Sequence, residues 1–364
     1  MGLAYDRLGA GPPLVLLHGI GHRRQAWDAV VDRLAPYRDL IIVDLPGHGE
    51  SPALQTAGRS VAHALVAETM GLLDDLGLDR AHFAGSSLGG RLALEAAVAG
   101  RAASVIALSP AGFWRSSREL SYARAVSKAM QAAGRLIQPI APALARTTAG
   151  RAMIYAEIVS RPSRVGPEQA LGDMDAFLAA RYTTNAILAA ATPFTGTVPA
   201  GIPVTIAWGT NDRLLPPRQA LVAKERIPQA RLIPLPGCGH VPMTDNPRLV
   251  ADVLLRGSRV AQHTGRQSAA GLAQASWWPA VSWESPPAAF ACQSGELADC
   301  TARMKPWADR KWQTCSIVKA MLSGLVWITE VCAPSRRPAP ARVAALAAGR
   351  PCSTKFAPRP GDHT

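Results

Sequence analysis

The chain has 364 residues, 48% of them hydrophobic, and carries a formal net charge of +13 at pH 7. A chain of this length and hydrophobic content buries a sizeable core, which excludes a wholly disordered protein. Lysine and arginine form no compact block and are not interleaved with aromatic residues, as a nucleic-acid-binding surface would require. We therefore expect no nucleic-acid partner.

The two ends of the chain give no signal for export or for membrane insertion. The first residues lack the basic segment followed by an apolar one that a secretory signal needs. The longest apolar stretch near the C-terminus, residues 320–329, is too short to span a bilayer. Five of the six cysteines lie in the last quarter without a Cys-x-x-Cys pair, which argues against a zinc site. We expect a cytoplasmic protein without stable membrane insertion and without a metal, and its oligomeric state stays open.

Strand and helix patterns alternate along the chain up to about residue 257. Short apolar runs, most of them closed by glycine, predict buried strands at 13–19, 39–47, 81–85, 104–109, 202–209 and 230–237. Apolar residues at helical intervals predict helices at 24–35, 60–76, 90–99, 217–226 and 247–255. This alternation predicts an α/β fold with a mostly parallel sheet and helices on both faces, built from residues 1–111 and 201–257.

Residues 112–200 interrupt the alternation between two predicted strands. They are rich in alanine and arginine, helical in pattern and broken by several prolines. A long insertion at this place favours a helical cap over the carboxyl edge of the sheet, where ligand sites of α/β proteins lie. The alternative is a set of extra helices packed against the side of the domain.

The last segment, residues 258–364, differs abruptly in composition. It contains six of the nine tryptophans and five of the six cysteines, with no helical or strand period that would bury them on one face. Such a segment gains too little from burial to offset the entropy of ordering, about 1–2 kcal/mol per residue. We expect a disordered C-terminal extension that is dispensable for the chemistry.

The stretch FAGSSLGGRLAL, residues 83–94, places a glycine-rich turn between a predicted strand and a predicted helix. A strand, a Gly-x-Ser-x-Gly turn and a helix together are typical of a nucleophile raised above a sheet. Gly85 and Gly89 flank Ser87 symmetrically, whereas Ser86 has Ala84 and Leu88 at the same offsets. Because the sharp turn needs residues without Cβ, Ser87 is the predicted nucleophile.

A serine hydroxyl needs a base that accepts its proton, and in this strand–turn–helix context the acid and then the histidine follow the serine in the chain. Two late strands end close to suitable residues, Asp212 in AWGTNDRLLP and His240 in LPGCGHVPMTDNP. His240 is the histidine in the right place, because five others precede Ser87 and two lie in the patternless tail. For the oxyanion hole we predict the backbone N–H groups of Leu88 and Ile20.

Five segments, LVLLHGIG, DLPGHGES, GSSLGG, WGTNDRLLP and GCGHVPMTDNP, together resemble the α/β-hydrolase superfamily over roughly residues 3–256. The resemblance implies a Ser-His-Asp hydrolase with a helical lid that needs no metal or organic cofactor. It also implies that Asp44 supports a loop and is not catalytic. Two departures stand out, since the N-terminus is about one strand shorter than the family's opening hairpin and the tail has no counterpart.

The function that we predict is hydrolysis of a small or medium carboxylic ester through an acyl-enzyme, with a small-molecule ester as partner. Phe113 and Trp114, at the start of the insertion, are candidates for an acyl pocket, although simple packing accounts for them equally well. Hydrolysis of a C–C bond and cofactor-free haloperoxidase or perhydrolase chemistry remain alternatives on the same scaffold. A further alternative is a non-catalytic ligand-binding protein, against which the intact set of three residues argues.

Overall fold

The computed structural model describes residues 2–259, so the predicted extension lies outside the described residues except for Ser258 and Arg259. The strands are β1 Tyr5–Gly9, β2 Pro13–Leu17, β3 Asp39–Val43, β4 Ala81–Ser86, β5 Ala102–Leu108, β6 Val204–Gly209 and β7 Arg231–Leu235. The helices are α1 Asp28–Leu34, α2 Val61–Asp75, α3 Leu88–Val98, α4 Ser117–Ile137, α5 Ala141–Arg146, α6 Thr148–Tyr155, α7 Pro167–Ala179, α8 Arg181–Ala189, α9 Gln219–Arg226, α10 Pro242–Asp245 and α11 Pro247–Gly257.

The seven strands form one sheet in the order β1-β3-β2-β4-β5-β6-β7. All neighbouring pairs are parallel except β1 with β3. The predicted mostly parallel sheet is thus confirmed. Strand β1 was not predicted, because it is an edge strand whose residues are mostly exposed and show no buried face in the sequence.

Alternate residues of the central strands pack into two hydrophobic cores, one on each face of the sheet. Leu14 and Leu16 of β2 pack on the side that α1 and α11 cover. Val15 and Leu17 pack on the opposite side, against α2 and α3. Since successive side chains of a strand point to opposite faces, this division places helices on both faces of the sheet, as predicted.

The segment between β5 and β6 contains the five helices α4 to α8. Pro139 and Pro142 lie where α4 gives way to a short 3-10 turn and α5, and Pro167 opens α7. Proline is tolerated at these first helical positions because its missing N–H has no intrahelical partner there. A small apolar cluster within the insertion includes Ile137 and Met174. The predicted helical content of the insertion is therefore present, and its role as a cap stays a prediction.

Candidate active site

Ser87 lies in a strained turn between β4 and α3. Its φ of 54° and ψ of −111° are rare for a residue with a side chain. A Cβ on Gly85 would collide with the carbonyl oxygen of Gly89, and a Cβ on Gly89 would collide with that of Leu17. The two glycines are therefore required by close backbone approach. Ser86, by contrast, is the last residue of β4.

Asp212 and His240 form a buried pair in the loops after β6 and β7. The Nδ1 atom of His240 lies 2.8 Å from Oδ2 of Asp212, and each residue is 4% exposed. The other carboxylate oxygen of Asp212 accepts the backbone N–H groups of Leu214 at 3.0 Å and Leu215 at 2.8 Å. The carboxylate is thus fixed at both oxygens and aimed at the imidazole. A proton on Nδ1 would leave Nε2 free to accept one.

The loops that carry this pair are held together by backbone contacts. The N–H of Asn211 donates to the carbonyl of Cys238 at 2.9 Å. A Cβ on Gly209 would collide with the carbonyl of Gly239. Because β4, β6 and β7 run parallel, Ser87 and the Asp212–His240 pair lie at the same edge of the sheet.

The loop after β2 lies directly against the candidate nucleophile. A Cβ on Gly19 would be 3.4 Å from the Cβ of Ser87. The N–H of Gly89 donates to the carbonyl of His18 at 3.1 Å, which ties this loop to the first turn of α3. Ile20 follows in the loop, and Leu88 is the first residue of α3. Both residues predicted for the oxyanion hole therefore lie in segments that contact the Ser87 turn, and their assignment stays a prediction.

His18 supports this loop from within the core, a role that we did not predict. Its Nε2 accepts the N–H of Leu45 at 3.0 Å, so Nδ1 carries the proton and donates to the carbonyl of Gly19 at 2.7 Å. The side chain is fully buried. Burial, with a smaller contribution from the neighbouring His48, lowers the pKa of His18 well below its ordinary value of 6.5. The imidazole is therefore neutral, and its two hydrogen bonds support the loop.

The neutral state of His18 makes stability depend on pH. The unfolded chain binds a proton at this residue near the ordinary pKa of 6.5, and the folded chain does not. The contribution of His18 to the free energy of unfolding is therefore fully present above that pH and decreases below it. Between about pH 7.5 and about pH 5.5, His18 alone should remove about 1 kcal/mol from the free energy of unfolding, measured by urea titration.

Two matched variants distinguish the contribution of His18 from that of an exposed histidine. His18→Gln should lose that part of the pH dependence, although it is less stable overall, and the exposed His63→Gln should retain it. An unchanged pH dependence in His18→Gln would contradict the explanation.

A model of the "Alpha/beta hydrolase family" matches residues 14–253, about two thirds of the chain. The chain belongs to the α/β-hydrolase family. Its curated relatives include a Mycobacterium tuberculosis protein, 29% identical over 70% of this chain and 77% of that protein. Lipase 3 of Moraxella sp. is 27% identical over 65% of this chain and 73% of that lipase.

Solved structures of other α/β-hydrolases share the fold. An esterase from Thermogutta terrifontis is 21% identical, with a TM-score of 0.54, and the match covers 70% of this chain and 92% of the esterase. A 2-hydroxy-6-oxo-6-phenylhexa-2,4-dienoate hydrolase from Rhodococcus sp. strain RHA1 is 20% identical, with a TM-score of 0.54, over 71% of this chain and 99% of that enzyme. At these identities the two structures establish the fold alone.

Phe113 and Trp114, the candidate pocket residues, differ in burial. Phe113 is 1% exposed, and its ring packs against that of Phe194 with centroids 5.6 Å apart. Trp114 is partly buried, and its Nε1 has no hydrogen-bond partner within residues 2–259. Phe113 thus packs in the hydrophobic core. That either residue lines an acyl pocket stays a prediction.

Asp245 is a buried residue of this α/β-hydrolase that sequence reasoning missed. Its carboxylate accepts backbone N–H groups from Gly239 at 2.7 Å, Ser160 at 3.1 Å and Arg161 at 2.6 Å. It therefore joins the residue before His240 to the inserted segment. Its position five residues after the histidine is the only sequence signal, and the partners at 160 and 161 are too distant in the chain to be foreseen.

Within 2–259, no cluster of His, Cys, Asp or Glu side chains has the arrangement of a metal site. In the same range, no helix is both long enough and apolar enough to cross a membrane. Cys238, next to the His240 loop, is buried, and burial together with Asp245 raises the pKa of its thiol to about 12. Since a thiol acts as a nucleophile only as the thiolate, Cys238 is not a rival to Ser87.

Proposed function

We propose that this α/β-hydrolase cleaves a small or medium carboxylic ester through a covalent acyl-enzyme. The observation that supports this most is the buried Asp212–His240 pair, 2.8 Å apart, at the same sheet edge as Ser87 in its strained turn. A catalytic role accounts for all three features together, because strain of this kind persists where function or the surrounding structure requires it. The Ser-His-Asp arrangement recurs on unrelated folds in enzymes that acylate a serine.

In the proposed reaction, the Oγ of Ser87 attacks the ester carbonyl carbon while Nε2 of His240 takes its proton. The carbonyl oxygen becomes an oxyanion that accepts hydrogen bonds from the N–H groups of Leu88 and Ile20. When the tetrahedral intermediate collapses, the C–O bond to the alcohol breaks, and His240 gives its proton to the leaving oxygen. Asp212 holds the imidazole in place and stabilises its cationic form.

Water completes the cycle by the same steps in reverse order. His240 removes a proton from the water as the water attacks the acyl carbon of Ser87. The second intermediate collapses, the carboxylic acid leaves, and the proton returns to the Oγ of Ser87. Every bond change uses groups of the chain, the ester and water, so this reaction needs no cofactor.

We further propose that the core comprises residues 1–111 and 201–257 and that residues 112–200 form a cap beside the reacting groups. The cap is tied to the His240 loop at two points. Asp245 accepts the N–H groups of Ser160 and Arg161, and the N–H of Val241 donates to the carbonyl of Ile158 at 2.9 Å. Substrate would then be enclosed between the cap and the sheet edge.

A series of p-nitrophenyl esters, from acetate through butyrate and octanoate to palmitate, tests the proposal. We expect saturable turnover of the shorter members, with kcat/KM at least about 10³ times lower for palmitate or for any ester with Ser87→Ala. A dioxo-acid with a cleavable C–C bond serves as the competing substrate. Turnover of that acid without turnover of any ester would contradict the ester proposal in favour of C–C hydrolysis. Binding of esters without any turnover would instead favour a ligand-binding protein.

A further inference from the structure

Helix α7 of the insertion packs directly on the loop after β2. A Cβ on Gly21 would collide with the ring of Phe177, which therefore lies against that glycine. A Cβ on Gly172 would likewise collide with the guanidinium of Arg23. In each contact, a large side chain of one segment packs against a glycine of the other segment. Helix α7 and residues 21–23 are therefore in close contact at two points.

A buried carboxylate on the same helix binds this loop. Asp173, with a side chain 9% exposed, accepts a hydrogen bond from Nε of Arg23 at 3.2 Å. Its second oxygen accepts the hydroxyl of Tyr155, on α6, at 2.7 Å. The Nε2 of His22 lies 3.9 Å from that same oxygen. This carboxylate thus faces one guanidinium, one phenol and one imidazole, and the carboxylate of Asp28 also lies close enough to interact with it electrostatically.

The phenol remains a donor under ordinary conditions. Tyr155 is 4% exposed, and burial together with the nearby Asp173 raises the pKa of its hydroxyl. Charge-assisted hydrogen bonds of this kind are stronger than those between neutral groups and hold a defined geometry. Asp173→Asn would remove the charge and leave one acceptor oxygen for two donors, the Nε of Arg23 and the hydroxyl of Tyr155.

The loop itself is a tight unit that transmits this restraint. The N–H of His22 donates to the carbonyl of Gly19 at 3.2 Å, and the N–H of Arg23 donates to Nδ1 of His22 at 3.0 Å. Ile20 lies inside this turn, one residue after the glycine that contacts Ser87. The turn thus links Arg23 to the Ile20 amide through two local hydrogen bonds.

We propose that Asp173 is a positioning residue through which the insertion sets the oxyanion hole. With Tyr155 it fixes Arg23, and Arg23 in turn fixes the turn that presents the Ile20 N–H to the developing oxyanion. The inference rests on the proposed function, because it assigns Ile20 a part in ester hydrolysis. It adds that α7, a helix of the insertion, positions the N–H of Ile20, which belongs to the core.

Asp173→Asn tests this role, since it keeps the size of the side chain and removes the charge. We expect kcat to fall about tenfold with KM changed by less than about twofold, because the oxyanion forms only after substrate binds. Affinity for an aryl trifluoromethyl ketone, whose serine adduct carries an oxyanion, should fall by the same factor. Asp173→Glu, which retains the charge, should recover part of both losses. Tyr155→Phe, which removes a single hydrogen bond, should lower kcat about threefold.

The matched control is Glu119→Gln. Glu119, on α4, has a side chain 11% exposed and joins the insertion to α9 through Arg218 and Gln219 at 2.9 and 2.8 Å. Among the described residues, the hydrogen bonds of its carboxylate are with Arg115, Arg218 and Gln219 and with none of residues 19–23. Its loss should lower the melting temperature, as we also expect for the loss of Asp173, yet leave kcat and ketone affinity within about twofold.

The outcomes separate this inference from the proposed function. An active wild type whose Asp173→Asn and Tyr155→Phe variants keep kcat and ketone affinity would overturn the inference alone. The same holds if KM rises while kcat is unchanged, which would mark Asp173 as a residue of substrate binding or of the cap only. A wild type without ester turnover or ketone binding would overturn the proposed function and the inference together.

Discussion

Ser87→Ala should lower kcat by at least about 10⁴-fold while leaving the melting temperature nearly unchanged. The substitution removes the Oγ atom that we propose as the nucleophile. It takes nothing from the surrounding fold, because the turn is held by backbone contacts such as the hydrogen bond from the Ser87 N–H to the carbonyl of Leu108 at 2.9 Å. Steady-state turnover of p-nitrophenyl butyrate measures the loss.

The neighbouring serine gives a matched control for this variant. Ser86 is also buried, but it is the last residue of β4 and lacks the positive φ of Ser87, so Ser86→Ala should keep kcat within about threefold. If Ser86→Ala lost activity and Ser87→Ala kept it, the assignment of the nucleophile would be wrong.

His240→Ala and Asp212→Asn should each lower kcat by about 10³- to 10⁴-fold. The alanine variant removes the base. The asparagine variant retains an oxygen for the N–H groups of Leu214 and Leu215 but turns its amide NH₂ toward Nδ1 of His240. That contact favours the tautomer protonated at Nε2, which cannot accept the proton of Ser87.

In the proposed mechanism the three groups act as one unit, so the losses of activity should not add. His240→Ala combined with Ser87→Ala should be about as active as Ser87→Ala alone. Asp39→Asn, which breaks the ion pair with Arg7 at the start of β3, should keep activity within about twofold. Full additivity in the double variant would mean that His240 assists catalysis by a route that does not pass through Ser87.

The sequence predicted those features of the fold that depend on local patterns. The apolar runs of β2 to β6 are buried on both faces for most of their length, so they are visible as continuous hydrophobic stretches, most of them closed by turns. Strand β1 escaped prediction because it lies at the edge with its side chains exposed, and burial is what creates a readable pattern. The bounds of the helices moved by only a few residues, within the usual uncertainty of helix ends.

The residues of the candidate site also divide into those that a local sequence pattern reveals and those that it does not. Ser87 is recognisable because its flanking glycines are a local requirement of the turn, and Asp212 and His240 because they follow strands of the predicted sheet. The network of Asp173, Tyr155 and Arg23 joins residues as many as 150 positions apart in the chain. Nothing in the local sequence indicates which insertion residues meet which core loop, since that depends on how α7 packs. His18 was passed over for a similar reason, because its support of the Gly19 carbonyl appears only in three dimensions.

Covalent labelling with a fluorophosphonate, followed by peptide mapping, tests the identity of the nucleophile most directly. The reagent phosphonylates a serine only when a neighbouring base activates it, so a stable adduct marks the reacting atom. We predict one adduct per chain, on the peptide that contains Ser87, with the modification at Ser87 and none in the His240→Ala variant. An adduct on Ser86 or on another residue, or a chain that remains unlabelled while it hydrolyses esters, would contradict the account.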